Sequence, residues 1–367
     1  MKRKITAVIL TVVLLFSFIS ADFATLTTAD PMIGNHLPVV YIENDGSINP
    51  PITAINRVGD VYTFAGNIVN YVIWVHRGNI VIDGLGYGMQ TKYPSQGLWG
   101  DDNAITISSV SNVTVKNVKI EGFSKGIIIS DSSHNNIIGN NISDCRSDPI
   151  SLDSCSYCNI AKNILTNNSG LLFLSRCENN SITDNNIAKN SEGIFLSFSA
   201  NNKIVGNNIT LNTVGVHLSG VLANYFYFNN FVNNTSQVYI RDTAKELPNV
   251  WDNGEVGNFW SNYDGTDANG DGIGESPFIV ETAETVNITF WNSITVGVNQ
   301  QDSFPLMELY VGQKLPLPTN APPPTNALYS NEVYVLAIAV ISTFIGMGLL
   351  IYFKKRKLTL DELVKKP

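Results

Sequence analysis

The chain has 367 residues, of which 44% are hydrophobic and 15% charged, and its formal net charge is −8. This length is enough for one long domain, or two ordinary ones, with a sizeable core. The acidic balance argues against a nucleic-acid-binding surface and suits cations, or neutral and basic partners.

The N-terminal segment has the features of a secretory signal. Met1-Lys-Arg-Lys precedes an apolar run from Ile5 to Ile19, and Ala21 is the expected cleavage point. We therefore predict a signal peptide over residues 1–21; the alternative is an uncleaved signal anchor, for which the run is short. Residues 30–104 then hold strand-like segments at irregular spacing, which predict an N-terminal cap and wide first coils.

The central region, residues 105–240, repeats with a period of 22 or 23 residues. One set of apolar residues recurs at Val115, Ile137, Ile160, Ile182, Ile204 and Phe226. A second set of alternating pairs, from Ile105/Ile107 to Val216/Leu218, keeps the same period. No single-helix pattern explains two registers with one period, and the alternation is typical of short strands. We predict an all-β fold, a parallel β-helix whose successive coils stack about 4.8 Å apart.

Asparagine recurs at two fixed places in this repeat. The first is occupied by Asn140, Asn163, Asn185, Asn207 and Asn229, and the second by Asn168, Asn190, Asn212 and Asn234. We expect both sets to form side-chain amide ladders inside the turns, which is a structural role and not a ligand-binding one.

The same period predicts covalent features. Cys155 and Cys177 are 22 residues apart, so their Cα atoms should be close enough for a disulfide, whereas Cys145 and Cys158 share no position. Sequons for surface glycosylation begin at Asn112, Asn141, Asn167, Asn179, Asn208, Asn233 and Asn287.

The repeat ends near Ile240, and residues 241–310 are the expected C-terminal cap, because the open end of a solenoid needs a cover. This segment contains DGTDANGDGIGESPF (264–278). The spacing of calcium ligands in an EF-hand-like loop is matched by Asp267, Asn269, Asp271, the Ile273 carbonyl and Glu275.

The loop departs from that pattern at its twelfth position, which is Phe278 instead of a bidentate glutamate. A Ca²⁺ site here therefore needs a distant donor, such as Asp264 or Asp302, or has weaker affinity. The alternative is an Asp/Gly-rich turn that holds no metal.

The C-terminal region predicts a membrane anchor. Residues 311–332 are proline-rich and predict a semi-rigid stalk. Val333–Phe353 is 21 residues without a charge, long enough for a transmembrane helix. The basic run 354–357 follows, so the positive-inside rule places the tail, 354–367, in the cytoplasm and the repeat domain outside the cell.

Candidate catalytic groups are few. In register, Asp131, Asp153 and Arg176 fall in neighbouring coils near one edge, and a polysaccharide lyase or hydrolase on this scaffold needs clustered carboxylates. A solvated, charge-paired surface explains the same residues equally well. Histidine, methionine and cysteine form no cluster in the sequence, so we do not expect a copper site.

Repeats of the form N-x-I-x-x-N-N-I resemble the right-handed parallel β-helix repeats of NosD-like proteins, a group also called the carbohydrate-binding and sugar-hydrolysis (CASH) domain. The phrase YIENDGSINPPITAINRVGDVYTF resembles their opening segment. NVWDNGEVGNFWSNYDGTDANGDGIGESPF, followed by QQDSFPLM, resembles their closing segment. The resemblance covers residues 38–308 and implies a right-handed, single-stranded parallel β-helix.

Three functions fit these features. Shallow grooves along stacked coils, with tyrosine, tryptophan and asparagine available, favour binding of a glycan or another cell-surface polymer by a membrane-anchored protein. The resemblance to NosD implies an accessory role in the maturation of a copper site. The third function is that of a polysaccharide lyase or hydrolase, and we expect a binding protein more than an enzyme.

Overall fold

The computed structural model describes residues 36–91, 102–243, 248–281, 284–288, 292–296 and 300–312. The predicted signal peptide, transmembrane helix and tail, and most of the stalk, lie outside these residues. Among the described residues, no helix is long and apolar enough to cross a membrane.

The described chain winds into a parallel β-solenoid of the right-handed type with about eight coils, which confirms the predicted fold. Each coil contributes one short strand to each of three long sheets. Between Asn103 and Thr243, consecutive strands of a sheet are offset by about 22 residues, so Ile137 pairs with Ile160, Ile160 with Ile182, and Ile182 with Ile204. The first coils are about ten residues longer, because Val40 pairs with Ile73 and Ile73 with Ile105.

Sheet 1 has ten strands. Nine run parallel, Val39–Ile42, Val72–Val75, Asn103–Ser108, Lys125–Ser130, Ile150–Asp153, Leu172–Ser175, Glu192–Ser197, Val214–Val221 and Ser236–Thr243. Ile48–Asn49 pairs antiparallel with the first.

Sheets 2 and 3 have nine strands each. Sheet 2 comprises Ile55–Val58, Val61–Phe64, Ile80–Asp83, Val113–Lys116, Asn136–Ile138, Asn159–Ala161, Ser181–Thr183, Lys203–Val205 and Tyr225–Tyr227. Sheet 3 comprises Ile68–Val69, Gly88–Gln90, Lys119–Glu121, Asn141–Ser143, Ile164–Thr166, Asn186–Ala188, Asn208–Thr210, Asn230–Val232 and Phe259–Trp260. Two hairpins complete the described strands, Phe278–Glu281 with Gln300–Asp302 and Glu284–Ile288 with Asn292–Val296.

The core is a set of inward files of aliphatic side chains, one residue per coil. Ile182, Ile204 and Phe226 form one such file, and all three are fully buried. The alternating pairs of sheet 1, such as Ile194 and Leu196, are buried in the same way. Period-two alternation in a strand sends every second side chain to the same face, so the repeat in the sequence becomes a continuous core.

The predicted asparagine ladders are present. In the first, the side-chain Nδ2 of each asparagine donates to the Oδ1 of the next, as Asn163 does to Asn185 (3.0 Å) and Asn185 to Asn207 (2.9 Å). The same Nδ2 also donates to a backbone carbonyl, Ile160 O in the case of Asn185 (2.8 Å). The Oδ1 of Asn185 accepts the backbone N–H of Asn163 (2.9 Å) as well. The ladder thus satisfies buried backbone groups at the corner of each coil.

A third ladder, between sheets 1 and 2, is absent from the sequence prediction. Its members are Asn180, Asn202, Asn224 and Asn249, with Asn135 at the same place two coils before Asn180. Cys158 occupies this place in the intervening coil, where its backbone N–H donates to Asn180 Oδ1 (2.8 Å). In the sequence this third position lies five residues before a member of the first ladder, as Asn180 does before Asn185 and Asn202 before Asn207.

The C-terminal segment covers the last coil with aromatic rings. Trp251 stacks on Phe226 and Trp260 on Phe231, each with ring centroids 4.3 Å apart, and Phe278 stacks on Trp260 at the same distance. Two polar side chains end the ladders there. Asp302 accepts hydrogen bonds from the Asn258 amide, and Gln300 accepts one from Trp251 Nε1 (2.9 Å).

Candidate functional site

A row of rings in contact with one another lies on the outer face of sheet 1. The residue between the two inward members of each apolar pair points outward, and in four successive coils it is Phe173, Phe195, His217 or Tyr239. The ring centroids of neighbouring members are 5.3, 4.1 and 4.8 Å apart along the row. We call these four residues the aromatic row. Tyr239, at its end, is 50% exposed.

A carboxylate fixes the histidine of the row. Glu192 Oε2 lies 3.0 Å from His217 Nδ1, and the imidazole stacks on Phe195 with an interplanar angle of 12°. A carboxylate at Nδ1 favours the tautomer that carries its proton there, and it fixes the ring orientation. The other nitrogen, His217 Nε2, is buried without a hydrogen-bond partner among the described residues. Glu192 and Phe195 therefore fix the orientation of the His217 ring, parallel to the ring of Phe195.

A line of small polar side chains runs beside the aromatic row. Ser175, Ser197 and Ser219 pair in register, each two residues after Phe173, Phe195 or His217, and Asp153 and Ser130 continue the line. The aromatic row was not predicted from the sequence. Its signal was present, because Phe173, Phe195, His217 and Tyr239 are spaced by 22 residues.

The three catalytic candidates, Asp131, Asp153 and Arg176, lie at the ends of strands of sheet 1 in three successive coils. Arg176 Nη2 lies 2.5 Å from Asp153 Oδ2, and Arg176 Nε donates to Ser154 Oγ at 3.2 Å. Asp131 is exposed, with a φ of 48°, in the turn position that Ser154 and Arg176 occupy in the next two coils. The geometry is that of a paired carboxylate at the surface, and a catalytic role for these groups stays a prediction.

The Asp-rich loop turns its acidic side chains onto its own backbone. Asp267 accepts the N–H groups of Gly270 (2.7 Å) and Gly272 (2.8 Å) on its two oxygens. Glu275 Oε1 accepts those of Ala268 (2.6 Å) and Asn269 (3.1 Å).

The remaining expected ligands of this loop make similar local bonds. Asp271 Oδ1 accepts the Ile273 N–H (2.9 Å), and Asn269 Oδ1 accepts the Asp271 N–H (2.9 Å). Asp302, one of the two extra donors considered, is fully buried and bonded to Asn258 and Trp260. The Ca²⁺ site stays a prediction that requires these oxygens to exchange backbone N–H groups for the cation.

All four cysteines are buried thiols, so the Cys155–Cys177 disulfide predicted from the spacing is not formed in the structure. The two cysteines do occupy equivalent positions in adjacent coils, because Ser156 and Glu178, which follow Cys155 and Cys177, pair in register. Hydrogen bonds from the thiols of Cys158 and Cys177 lower the pKa of Cys155 to about 4, whereas burial raises the pKa of Cys145 to about 12.

Six of the seven sequon asparagines are exposed, Asn112, Asn141, Asn167, Asn179, Asn208 and Asn233. Each is next in sequence to a buried residue of the solenoid. The ladder asparagines differ from them because they are buried. Asn287 lies in the strand Glu284–Ile288. Glycosylation at these positions stays a prediction.

Two further features of the described residues bear on ligands. No three His, Cys, Asp or Glu side chains in this part of the chain are grouped to hold a metal ion. A cavity of about 490 Å³ lies at the C-terminal end and is lined by residues that include Gln237, Ser261 and Phe278. Gln237 Nε2 donates to Ser261 Oγ (3.0 Å), so its amide is already bonded within the cap.

Comparisons with solved structures return other β-helix proteins. A mutant of the periplasmic alginate epimerase AlgG has a TM-score of 0.34 and 13% identity, over 56% of this chain and 73% of that one. The catalytic domain of a GH87 alpha-1,3-glucanase with nigerose has a TM-score of 0.33 and 14% identity, over 54% and 49%. Tailspike protein 2 of bacteriophage CBA120 has a TM-score of 0.30 and 14% identity, over 69% and 51%. Similarity at this level carries no information on ligand or activity.

No curated protein sequence matches the chain. The profile of the family described as periplasmic copper-binding protein (NosD) matches residues 68–265, which is more than half of the 367 residues. This match agrees with the stacked coils and asparagine ladders of that segment, and the chain belongs to the NosD family.

Proposed function

We propose that this protein binds a glycan on the outer face of sheet 1, and that the aromatic row is the binding platform. The observation that carries the proposal is the row itself, four rings in register that contact one another on the outer face of sheet 1, three of them half-buried and the last, Tyr239, exposed. Aromatic rings contribute large apolar area with few rotatable bonds, and the C–H faces of sugar rings complement them.

Polar groups beside the row supply the complementary contacts. Ser197 and Ser219 stand in register along one side, and Glu192 lies on the other side, where it bonds to His217. A sugar that packs against the outer edge of Phe195 or against Tyr239 would thus meet hydroxyl groups and a carboxylate that bond to its own hydroxyls. A few polar groups around an apolar platform are the usual composition of a specific ligand site.

The test is a binding screen of the full-length protein in detergent against immobilised glycans, with Phe195→Ala as the site variant. Tyr157→Ala is the matched control, because Tyr157 is an exposed aromatic residue at a corner, where it stacks on His134 outside the row. We expect Phe195→Ala to weaken binding at least tenfold, about 1.4 kcal/mol, and Tyr157→Ala to leave it unchanged. Absence of binding to every glycan, or equal loss in both variants, would contradict the proposal.

The site is proposed to face the outside of the cell on a single-pass membrane protein. The support is in the sequence, the uncharged segment Val333–Phe353 followed by the basic run 354–357. The proline-rich residues 311–332 would hold the solenoid away from the bilayer.

Calcium is proposed at the loop 264–278, where calorimetry with CaCl₂ would detect it and Asp267→Ala would abolish the heat.

The family description favours a second candidate, a role in copper handling. Among the described residues the histidines are dispersed, and no three His, Cys, Asp or Glu side chains are grouped to hold a metal ion. We therefore assign no copper ligand. Calorimetry with copper separates the two functions, because tight binding there without glycan retention would favour the copper role.

A further inference from the structure

The outward row of sheet 1 carries a second group of rings at its N-terminal end. Tyr41 and Trp74 occupy the same outward position as the aromatic row, and Val39–Ile42 pairs with Val72–Val75 in register. Their ring centroids are 5.9 Å apart in an edge-to-face arrangement, and His76 lies 5.3 Å from Tyr41. Trp74 is 40% exposed, although tryptophan is usually highly buried.

The two groups stand on one line. From Trp74 the outward position passes through Thr106, Ile128 and Ser151 to Phe173, each paired in register with the next. These are four steps between adjacent strands, so the two groups are about 19 Å apart at about 4.8 Å per step. The line runs parallel to the solenoid axis, across the strands. A ligand that contacts both groups must therefore be a chain that lies lengthwise on the face.

The charges along this line do not suit a polyanion. Its ion pairs are Lys125 with Asp148, Arg176 with Asp153, His76 with Glu43, and His217 with Glu192. Even with Arg241, which follows Tyr239 by two residues, the carboxylates of this set outnumber lysine and arginine by four to three. A carboxylated glycan would gain no net attraction from this face, whereas an uncharged one needs only rings and hydroxyl groups.

We propose that the Tyr41–Trp74 pair is a second subsite, and that one linear, uncharged polysaccharide spans it and the aromatic row. This inference rests on the proposed glycan function. Occupation of one subsite raises the effective concentration of the chain at the other, so affinity grows with chain length without any new contact. A short oligosaccharide reaches one subsite only and lacks this gain.

The experiment compares the full-length protein with Trp74→Ala, Phe195→Ala and the double variant in detergent. The affinity of each protein is measured for a series of chain lengths of one uncharged glycan, chosen because it binds in the screen. For the longest chains we expect each single variant to lose at least tenfold in affinity, and the chain-length dependence to disappear. For short oligosaccharides we expect each single variant to keep measurable binding through the remaining subsite, and the double variant to lose it.

The outcomes separate the two proposals. If Trp74→Ala binds long chains as the unchanged protein does while Phe195→Ala does not, the second subsite is wrong and the glycan function stands. If none of the proteins binds any glycan, the function itself is wrong. Tyr157→Ala controls for loss of an exposed ring, and circular dichroism with urea unfolding shows that each variant is folded.

A separate experiment tests whether the ligand is uncharged. Alginate and polygalacturonate are tested beside the uncharged glycan, at 50 and 500 mM NaCl. We expect binding of the uncharged glycan to change less than twofold between the two salt concentrations, because screening acts only on charge. Tighter binding of the polyuronates, or strong weakening by salt, would overturn the assignment of an uncharged ligand.

Discussion

At the scale of single residues, Asp302 is a carboxylate fully buried at the end of an asparagine ladder. It accepts N–H groups from Asn258 and from the indole of Trp260 (2.8 Å), and it fills the space where a Cβ on Gly257 would lie. Burial is the largest influence on it and raises its pKa to about 6. The folded protein thus holds a proton that the unfolded chain releases at lower pH.

This pKa predicts a pH dependence of stability. Because the folded pKa lies above the usual 3.8, the contribution of Asp302 is fully present below about pH 4 and is lost as pH rises through about 6. Two pKa units correspond to roughly 3 kcal/mol at most. Urea unfolding of the full-length protein and Asp302→Asn between pH 4 and 7 measures this. The variant should lose less unfolding free energy over that range, and parallel curves would contradict the raised pKa.

Leu211 is held in a conformation that leucine disfavours. Its φ is 57°, its side chain is 52% exposed, and other coils place Asn167 and Asn233 at the same corner position with similar φ. We expect Leu211→Asn to raise the unfolding free energy by about 0.5–1 kcal/mol, because asparagine tolerates the left-handed region better.

Leu211→Ala is the matched control for this change. It shortens the exposed side chain but keeps a Cβ that strains the left-handed backbone, so we expect no gain in stability. Urea midpoints of the two variants decide the matter. An equal gain in both would mean that loss of the exposed leucine, and not relief of backbone strain, was responsible.

At the scale of elements, each ladder rung is a cross-link between coils. Asn185 accepts two hydrogen bonds from Asn163 and donates to Ile160 O and to Asn207 Oδ1. We expect Asn185→Ala to lower the unfolding free energy by about 3 kcal/mol, because it leaves buried backbone groups without partners.

The next residue provides the control for that prediction. Asn186 is exposed on the strand Asn186–Ala188, and we expect Asn186→Ala to change stability by no more than about 0.5 kcal/mol. Thermal or urea unfolding of both variants checks the difference. Similar losses in the two would show that asparagine in this repeat acts through strand or turn propensity and not through the buried amide bonds.

The ladders also mark how far sequence reasoning reaches at this scale. Two of the three were predicted because Asn163, Asn185 and Asn207 recur without interruption. The third was missed because Cys158 breaks it, and an odd residue in one coil hides a period from simple inspection. The disulfide prediction used the 22-residue spacing of Cys155 and Cys177 and left out Cys158, whose thiol also hydrogen-bonds to Cys155.

At the scale of the whole molecule, the 22-residue period predicted the solenoid, because strands that stack in register constrain the path of each coil. The cap and the candidate site are different. The cap is a single non-repeating segment, so the period did not predict that Trp251 and Trp260 stack on Phe226 and Phe231. The aromatic row was not predicted because its members differ in residue type, although they keep the 22-residue spacing. On such a scaffold, a binding site is expected where one outward position carries the same chemical type of side chain in successive coils.

The last prediction concerns the attachment of this solenoid to a membrane. Removal of residues 333–367 deletes the uncharged segment Val333–Phe353 and the basic tail. We expect the truncated protein to appear in the soluble fraction, whereas the full-length protein stays with membranes at high salt and at alkaline pH. A segment of this length partitions into the bilayer through apolar area, which salt does not weaken. A matched variant, Leu349→Ala, keeps the length and should stay in the membrane. Release of the full-length protein by salt alone would contradict the anchor and place the protein at the surface by charge.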